Sequence, residues 1–226
     1  GSGHRRDLPS LPTRRSADLG RVARAHASGF RVHAWVNVLS LSLQRDAALI
    51  RELGREIVLV DRQGRSLLDY PNSEVPLPDG AWYRMGTRGV YLDAAAPGVA
   101  DRLAAIFAEL VTRYPELDGL HLDYIRYPMV LPIAPGPRFG VGLDFGYGAA
   151  SRARFRRETG LRGPYATEPA AAEAAPLSAD ETSREAAPAP RSIVNSQAWD
   201  AWRRDQVTAL VRKIGERVDA AHPQSK

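Results

Sequence analysis

The chain has 226 residues, of which 44% are hydrophobic, enough for one globular domain or for most of a larger one. No apolar run approaches the ~20 residues of a membrane-spanning helix, and the absence of cysteine excludes disulfides and thiolate metal sites. The formal net charge of +5 comes almost wholly from arginine, but the arginines are scattered, as a GC-rich coding sequence also produces, so we expect no nucleic-acid partner.

Residues 1–19 lack the periodicity of a helix or strand and are rich in Arg, Ser and Pro. Within them, PTRRSADL (12–19) is typical of a translated sequencing adapter, and the alternative is a disordered basic tail. We therefore predict a non-native or disordered tail at 1–19 and a folded domain at 20–226. That domain is expected to begin near Leu19 with a short helix that Gly29 ends as a C-terminal cap.

The stretch FRVHAWVNV (30–38) alternates apolar and polar residues with the period of two that marks a strand. The residues on its polar side are His33, Trp35 and Asn37. A helix at about 43–53 and a Gly- and Pro-rich loop at about 62–90 are predicted to follow.

A third helix is predicted in PGVADRLAAIFAELVTRY, with Pro97 in its first turn. Its apolar residues fall at helical spacing and give one buried face. They are Val99, Leu103, Ile106, Phe107, Leu110 and Val111. After a tight turn at 115–118, DGLHLDYI (118–125) predicts a strand that carries His121 and Asp123 on one face.

A second long loop is predicted from Pro128 to about Gln197, with a short helix in SRARFRRETG (151–160). Within it, residues 166–191 are rich in Ala, Pro and Glu and predict a disordered insertion without a site. The last predicted helix spans about 198–221 and has one apolar stripe. The residues of that stripe are Trp202, Val207, Leu210, Val211, Ile214 and Val218.

The order strand, helix, strand, helix predicts an α/β fold with parallel strands and helical crossovers. Two clear strands are too few for a closed domain, and a (β/α)8 barrel takes ~250 residues. We therefore predict a partial (β/α)8 TIM barrel with long βα loops, truncated at both ends.

Both predicted strands carry polar residues on one face, although strands of a parallel sheet are usually apolar on both faces. In a barrel, such residues near the C-terminal ends of strands line the mouth where active sites are built. Asp123 lies there and is either a reactive carboxylate or a structural acceptor that pairs with Arg126. His121 is interpreted as an orienting hydrogen-bond partner, and the alternative is a proton carrier. Trp35 and Asn37 are either core or sugar-contacting residues, because an indole packs well against a pyranose.

Motifs for other chemistries are not found. The five histidines lack HxxxH or HExxH spacing, and neither a glycine-rich phosphate loop nor a GxSxG nucleophile motif is present. We therefore expect no metal and no cofactor.

Four segments stand out along the chain: HAWVNV (33–38), VYLDAAAPGVADRLAAIFAELVTRYPELDGLHLDYIRYP (90–128), FGYGAASRARFRRETG (145–160) and WDAWRRDQVTALVRKI (199–214). Taken together and in this order, they resemble the glycosyl hydrolase-like 10 family. The resemblance covers most of residues 21–222 apart from the insertion, and Ala94 stands where the family tends to have proline. It implies a bacterial (β/α)8-barrel glycoside hydrolase of the exported, cell-wall type, with further strands on both sides of this segment.

The resemblance also implies roles for individual residues. Asp123 falls where related barrel glycosidases place an acidic residue, and Arg126 would help to keep it ionised. The other implied cleft residues are Tyr124 and Tyr127, with Arg203 and Arg204 either facing the cleft or capping the last helix.

Glycoside hydrolysis usually takes two carboxyl groups. Asp93, Asp144 and Asp205 are candidates for the second, although helix capping is an alternative role for each. We expect the partner acid in strands outside this chain, so that this chain alone is inactive. The polysaccharide is expected to be cell-wall peptidoglycan, and the longer protein is expected to be exported. A glycan-binding pseudoenzyme is the alternative, and the sequence leaves the linkage and oligomeric state open.

Overall fold

The computed structural model describes residues 12–42, 45–134, 143–165 and 194–222, with backbone only at 12–18 and 42. Its helices are α1 (Pro12–Ala27), α2 (Ala48–Leu53), α3 (Val99–Arg113), α4 (Ala149–Thr159) and α5 (Ser196–Ala221). Its strands are β1 (His33–Asn37), β2 (Ser40–Ser42), β3 (Tyr83–Met85), β4 (Val90–Tyr91), β5 (Gly119–Asp123) and β6 (Val130–Pro132). The predicted insertion at 166–191 lies outside the described residues.

The parallel pair of β1 and β5 organises the fold. The register runs from His33 opposite Gly119 to Asn37 opposite Asp123. A parallel pair needs a crossover connection, and α3 lies in that connection. The pairs β2–β4 and β3–β6 are short and antiparallel. The α/β class with parallel strands is therefore confirmed, while the described residues contain one parallel pair and not a closed barrel.

The main core lies on the apolar side of this pair. Val36, Leu120 and Leu122 are partly buried against it. Helix α3 contributes Val99, Leu103, Phe107 and Val111, and helix α5 contributes Leu210, Ile214 and Val218. The helical spacing of these residues explains why each helix turns one stripe toward the strands.

A smaller aromatic core joins α4 to α5. The Trp199 and Trp202 rings stack with centroids 5.1 Å apart, and the Phe155 ring meets both edge-on. The Trp202 indole N–H also donates to Glu158 of α4 at 2.7 Å. These contacts hold the short α4 helix in place, because its sequence is otherwise dominated by arginine and other polar residues.

Several element boundaries differ from the predictions. Helix α1 begins at Pro12 rather than near Leu19, while Gly29 adopts a φ of 79° after the helix end, as expected of a C-terminal cap. Pro97 lies before α3 because Gly98, with a φ of 80°, is the N-cap residue. The predicted loop at 62–90 contains β3, and short 3-10 turns occur at Arg55–Ile57, Leu67–Asp69, Pro71–Ser73 and Asp79–Ala81.

Candidate active site

The polar residues of β1 and β5 share one side of the strand pair. Trp35 is the register partner of His121, and Asn37 is the partner of Asp123. Register partners in a sheet point to the same face, and here that face is opposite the one that packs on the helices. Trp35 is accordingly 71% exposed. The structure thus brings four of the predicted residues together at the C-terminal half of both strands.

The Asp123 carboxylate receives a hydrogen bond on each oxygen. The Tyr124 backbone N–H donates to Oδ1 at 2.7 Å, and the Trp35 indole N–H donates to Oδ2 at 2.9 Å. The hydrogen bond from the Tyr124 backbone N–H lowers the pKa of Asp123 most, followed by the hydrogen bond from the Trp35 indole. The nearby Arg126 and His121 lower it further. Asp123 is therefore a charged carboxylate at neutral pH, suited to act as a nucleophile or an electrostatic stabiliser rather than as an acid.

Tyr124 directs its amide at Asp123 through an unusual backbone conformation. Its φ is 50°, in the left-handed region that bulky residues rarely adopt. Its ring meets Tyr91 edge-on at 6.2 Å, and the Arg126 guanidinium lies over it at 4.8 Å. Strained residues of this kind cluster at functional sites. Sequence reasoning missed Tyr91, because its place near the site depends on the pairing of β4 with β2.

His33 lies at the other end of β1. It faces Gly119, where an added Cβ atom would come within 2.8 Å of the imidazole ring, so the glycine makes room for it. His33 is four residues from Asn37, which corresponds to about 13 Å along a strand. The structure therefore does not bring His33 together with Asp123, although both lie on the same face.

The partly buried Tyr127 packs against the buried side chain of Arg203. The Arg203 guanidinium donates to both carboxylate oxygens of Asp144 at 2.9 Å, and also to Asp200 and the Phe145 carbonyl. It lies 5.4 Å from the centre of the Tyr127 ring. Burial raises the pKa of Tyr127 well above its usual value. Of the two arginines predicted for the cleft, Arg203 is thus engaged by protein groups, and Arg204 is exposed on α5.

The three candidates for a second carboxylate occupy other environments. Asp93 is 1% exposed and accepts hydrogen bonds from the Ser151 hydroxyl at 2.7 Å and from the Ala95 amide. Burial raises the pKa of Asp93. Asp144 is bound by Arg203, and Asp205 is exposed on α5. Among the described residues, the hydrogen bonds of Asp123 involve no second carboxyl group.

The described ranges contain neither a metal-binding cluster nor a membrane-spanning helix. No group of three or more His, Asp or Glu side chains there could hold a metal ion. No helix in the same ranges is long and apolar enough to cross a membrane.

Comparison with known sequences places this α/β chain among glycoside hydrolase-like proteins. The sequence profile described as "Glycosyl hydrolase-like 10" matches residues 19–226, and the chain belongs to that family. It is also similar to proteins named "Glycosyl hydrolase DigH" from Escherichia coli K12, Escherichia coli O157:H7 and Shigella flexneri. Each is 32% identical over 136 residues.

The aligned region is 59% of this chain but only 27% of each relative. No solved structure matches the chain. Family membership and these relatives indicate a role related to glycoside hydrolysis.

Proposed function

We propose that Asp123 is a catalytic carboxylate of a glycoside hydrolase that cleaves a bacterial polysaccharide, namely the glycan strands of cell-wall peptidoglycan. The observation that carries this proposal is the position of Asp123 at the C-terminal end of a parallel strand, with a hydrogen bond to each oxygen. Because that polymer lies outside the cytoplasmic membrane, the proposal includes export of the longer protein.

The proposal assigns β1 and β5 to neighbouring strands of a (β/α)8 barrel. Three features support it: the strands are parallel, α3 lies in their connection, and α3 and α5 pack on the apolar side of the strands. In such a barrel the side chains of the other face point into the lumen, and catalytic residues lie at the C-terminal ends of several strands. Asn37 and Asp123 hold that position on β1 and β5.

In the proposed mechanism, Asp123 acts in its charged form. It either attacks the anomeric carbon or stabilises the oxocarbenium-like transition state. A second, protonated carboxyl group must then donate a proton to the leaving oxygen, and the two groups lie ~5–5.5 Å or ~6.5–9.5 Å apart in retaining and inverting enzymes, respectively. We assign this second group to another strand of the same barrel, because Asp93 and Asp144 are held by Ser151 and Arg203.

The aromatic and polar residues around Asp123 form the proposed sugar-binding surface. The exposed Trp35 ring offers an apolar face to a pyranose, and Asn37 and His121 offer hydrogen-bonding groups beside it. Arg126, which stacks on Tyr124, keeps positive charge next to the carboxylate.

The alternative is a protein that binds glycans without cleaving them. The 71% exposure of Trp35 favours this function, since an exposed aromatic ring binds sugar without any acid pair. The two functions differ in whether turnover accompanies binding.

The test is sugar release from purified glycan strands by the longer protein that contains this chain. We expect Asp123→Asn to reduce turnover by about 10³-fold or more. The matched control is Asp46→Asn, because the Asp46 side chain is 82% exposed in a loop, and it should leave turnover unchanged. Undiminished turnover in Asp123→Asn would remove this residue from the mechanism. Binding by the wild-type protein without any sugar release would establish the alternative.

A further inference from the structure

The Trp35 indole N–H donates a hydrogen bond to Asp123, although Trp35 is largely exposed. Tryptophan has a single side-chain donor, and in Trp35 it lies 2.9 Å from Asp123 Oδ2. The ring also rests against His121, with centroids 4.8 Å apart and an angle of 49° between the planes. These two contacts therefore fix the orientation of the Trp35 ring, which would otherwise be free to rotate because it is exposed.

The same bond restrains the carboxylate. Tyr124 holds Oδ1 through its backbone amide, and Trp35 holds Oδ2 from the neighbouring strand. Two donors on different oxygens define the plane of the carboxylate group. Because Trp35 belongs to β1 and Asp123 to β5, the ladder register fixes the relative position of donor and acceptor. Sites on strands are held more accurately than sites on loops.

We propose that Trp35 is a positioning residue, whose indole N–H holds the Asp123 carboxylate in one orientation toward the bond to be cleaved. This inference rests on the proposed hydrolase function and assigns Trp35 a task beyond contact with sugar. A reacting group held in place before the substrate arrives needs less reorganisation in the transition state.

Other charged groups act on the same carboxylate and must be kept constant in a test. His121 lies on the same strand, and Arg126 follows it in the loop. The neighbouring strand β1 contributes one titratable residue, His33, which lies at its far end. A substitution confined to the indole N–H leaves all three in place.

The decisive variant is Trp35→Phe, which keeps an aromatic ring and removes the donor. The measurement is the titration midpoint of Asp123, monitored by NMR through the chemical shift of its carboxyl carbon in this chain. We expect the midpoint to rise by about 0.5 to 1 pH unit, because the charged form loses one hydrogen bond. Trp82→Phe is the matched control, since Trp82 is also exposed, at 49%, and it should leave the midpoint unchanged.

A second measurement needs no change at Trp35. In the wild-type chain, the indole N–H resonance of Trp35 should shift with pH at the Asp123 midpoint, and Asp123→Asn should abolish this shift. An Asp123 midpoint that does not change in Trp35→Phe would overturn the inference. So would a Trp35 indole resonance that does not shift with pH at the Asp123 midpoint.

In the longer protein, the acid limb of the kcat/KM profile should move to higher pH in Trp35→Phe, together with the Asp123 midpoint. A raised KM with an unmoved acid limb would instead make Trp35 a sugar platform alone and overturn the inference. Absence of hydrolysis by the wild-type protein would refute the proposed function, a result distinct from an unmoved midpoint.

Discussion

Asn37 and Asp123 are register partners at the C-terminal ends of β1 and β5. Adjacent strands lie about 4.8 Å apart, so a second carboxylate at position 37 would stand close to the first. We predict that Asn37→Asp raises the pKa of Asp123 by about one pH unit, because like charges disfavour the ionised form. NMR titration of both carboxyl carbons should show two coupled steps.

Asn37→Ala is the control for this prediction, since it removes the amide without adding charge and should not raise the Asp123 midpoint. An Asp123 midpoint that stays the same in Asn37→Asp would show that the two side chains do not share a face.

Arg203 is a buried structural cation, and its loss should destabilise the fold. Arg203→Met leaves Asp144 without its cationic partner and removes the stacking against Tyr127. Loss of one partner of a buried pair destabilises by about 3–5 kcal/mol, and the partial exposure of Asp144 places this case at about 3 kcal/mol. Urea denaturation is the measurement. Arg204→Met, at the exposed neighbouring position, should change the free energy of unfolding by less than about 0.5 kcal/mol. Equal losses of unfolding free energy in Arg203→Met and Arg204→Met would contradict the structural role of Arg203.

Asp93 makes stability depend on pH in a defined direction. Burial raises the pKa of Asp93 above its ordinary value of 3.8, so the folded state binds its proton more tightly than the unfolded state. The resulting stabilisation is full below that ordinary value and is lost as the pH rises through the folded-state pKa. Each pH unit between the two pKa values corresponds to about 1.4 kcal/mol.

Asp93→Asn resembles the protonated acid and should lose this dependence. Urea denaturation between pH 4 and 7 should therefore show the variant gaining stability relative to the wild-type chain as the pH rises. The comparison is made with the wild type at each pH because Asp118 and Asp123, whose pKa values are lowered, contribute stability with the opposite sign. The prediction would be contradicted if the free energy of unfolding of the variant, relative to the wild type, decreased as the pH rises.

Gly146 allows Tyr127 and Arg203 to approach the backbone. Its φ is 98°, and an added Cβ atom would lie 3.0 Å from the Tyr127 ring and 3.1 Å from Arg203 Cδ. We predict that Gly146→Ala lowers the free energy of unfolding by about 2–3 kcal/mol, through backbone strain and crowding together. Gly160 has a φ of 70° with nothing within 4 Å, so Gly160→Ala should cost about 1 kcal/mol from the backbone alone. Thermal or urea unfolding that ranks the two variants in the reverse order would contradict the crowding argument.

The amino-acid sequence alone predicted the main strands and helices and the faces of β1 and β5. Alternation with a period of two predicted that Trp35 and Asn37 lie on one face of β1, and that His121 and Asp123 lie on one face of β5. Helical spacing predicted most of the buried stripes of α3 and α5, but Ile106 and Val211, which we placed in those stripes, are exposed. Both patterns are local, because the side of a strand or helix on which a residue lies depends only on the repeat of the backbone.

Tertiary structure decided which of these residues meet. Trp35 and Asp123 are 88 positions apart, and their hydrogen bond depends on the register between two strands. The same level of structure turned Arg203 inward to Asp144, 59 positions away. These contacts depend on the path of the whole chain, and no spacing within one segment encodes that path.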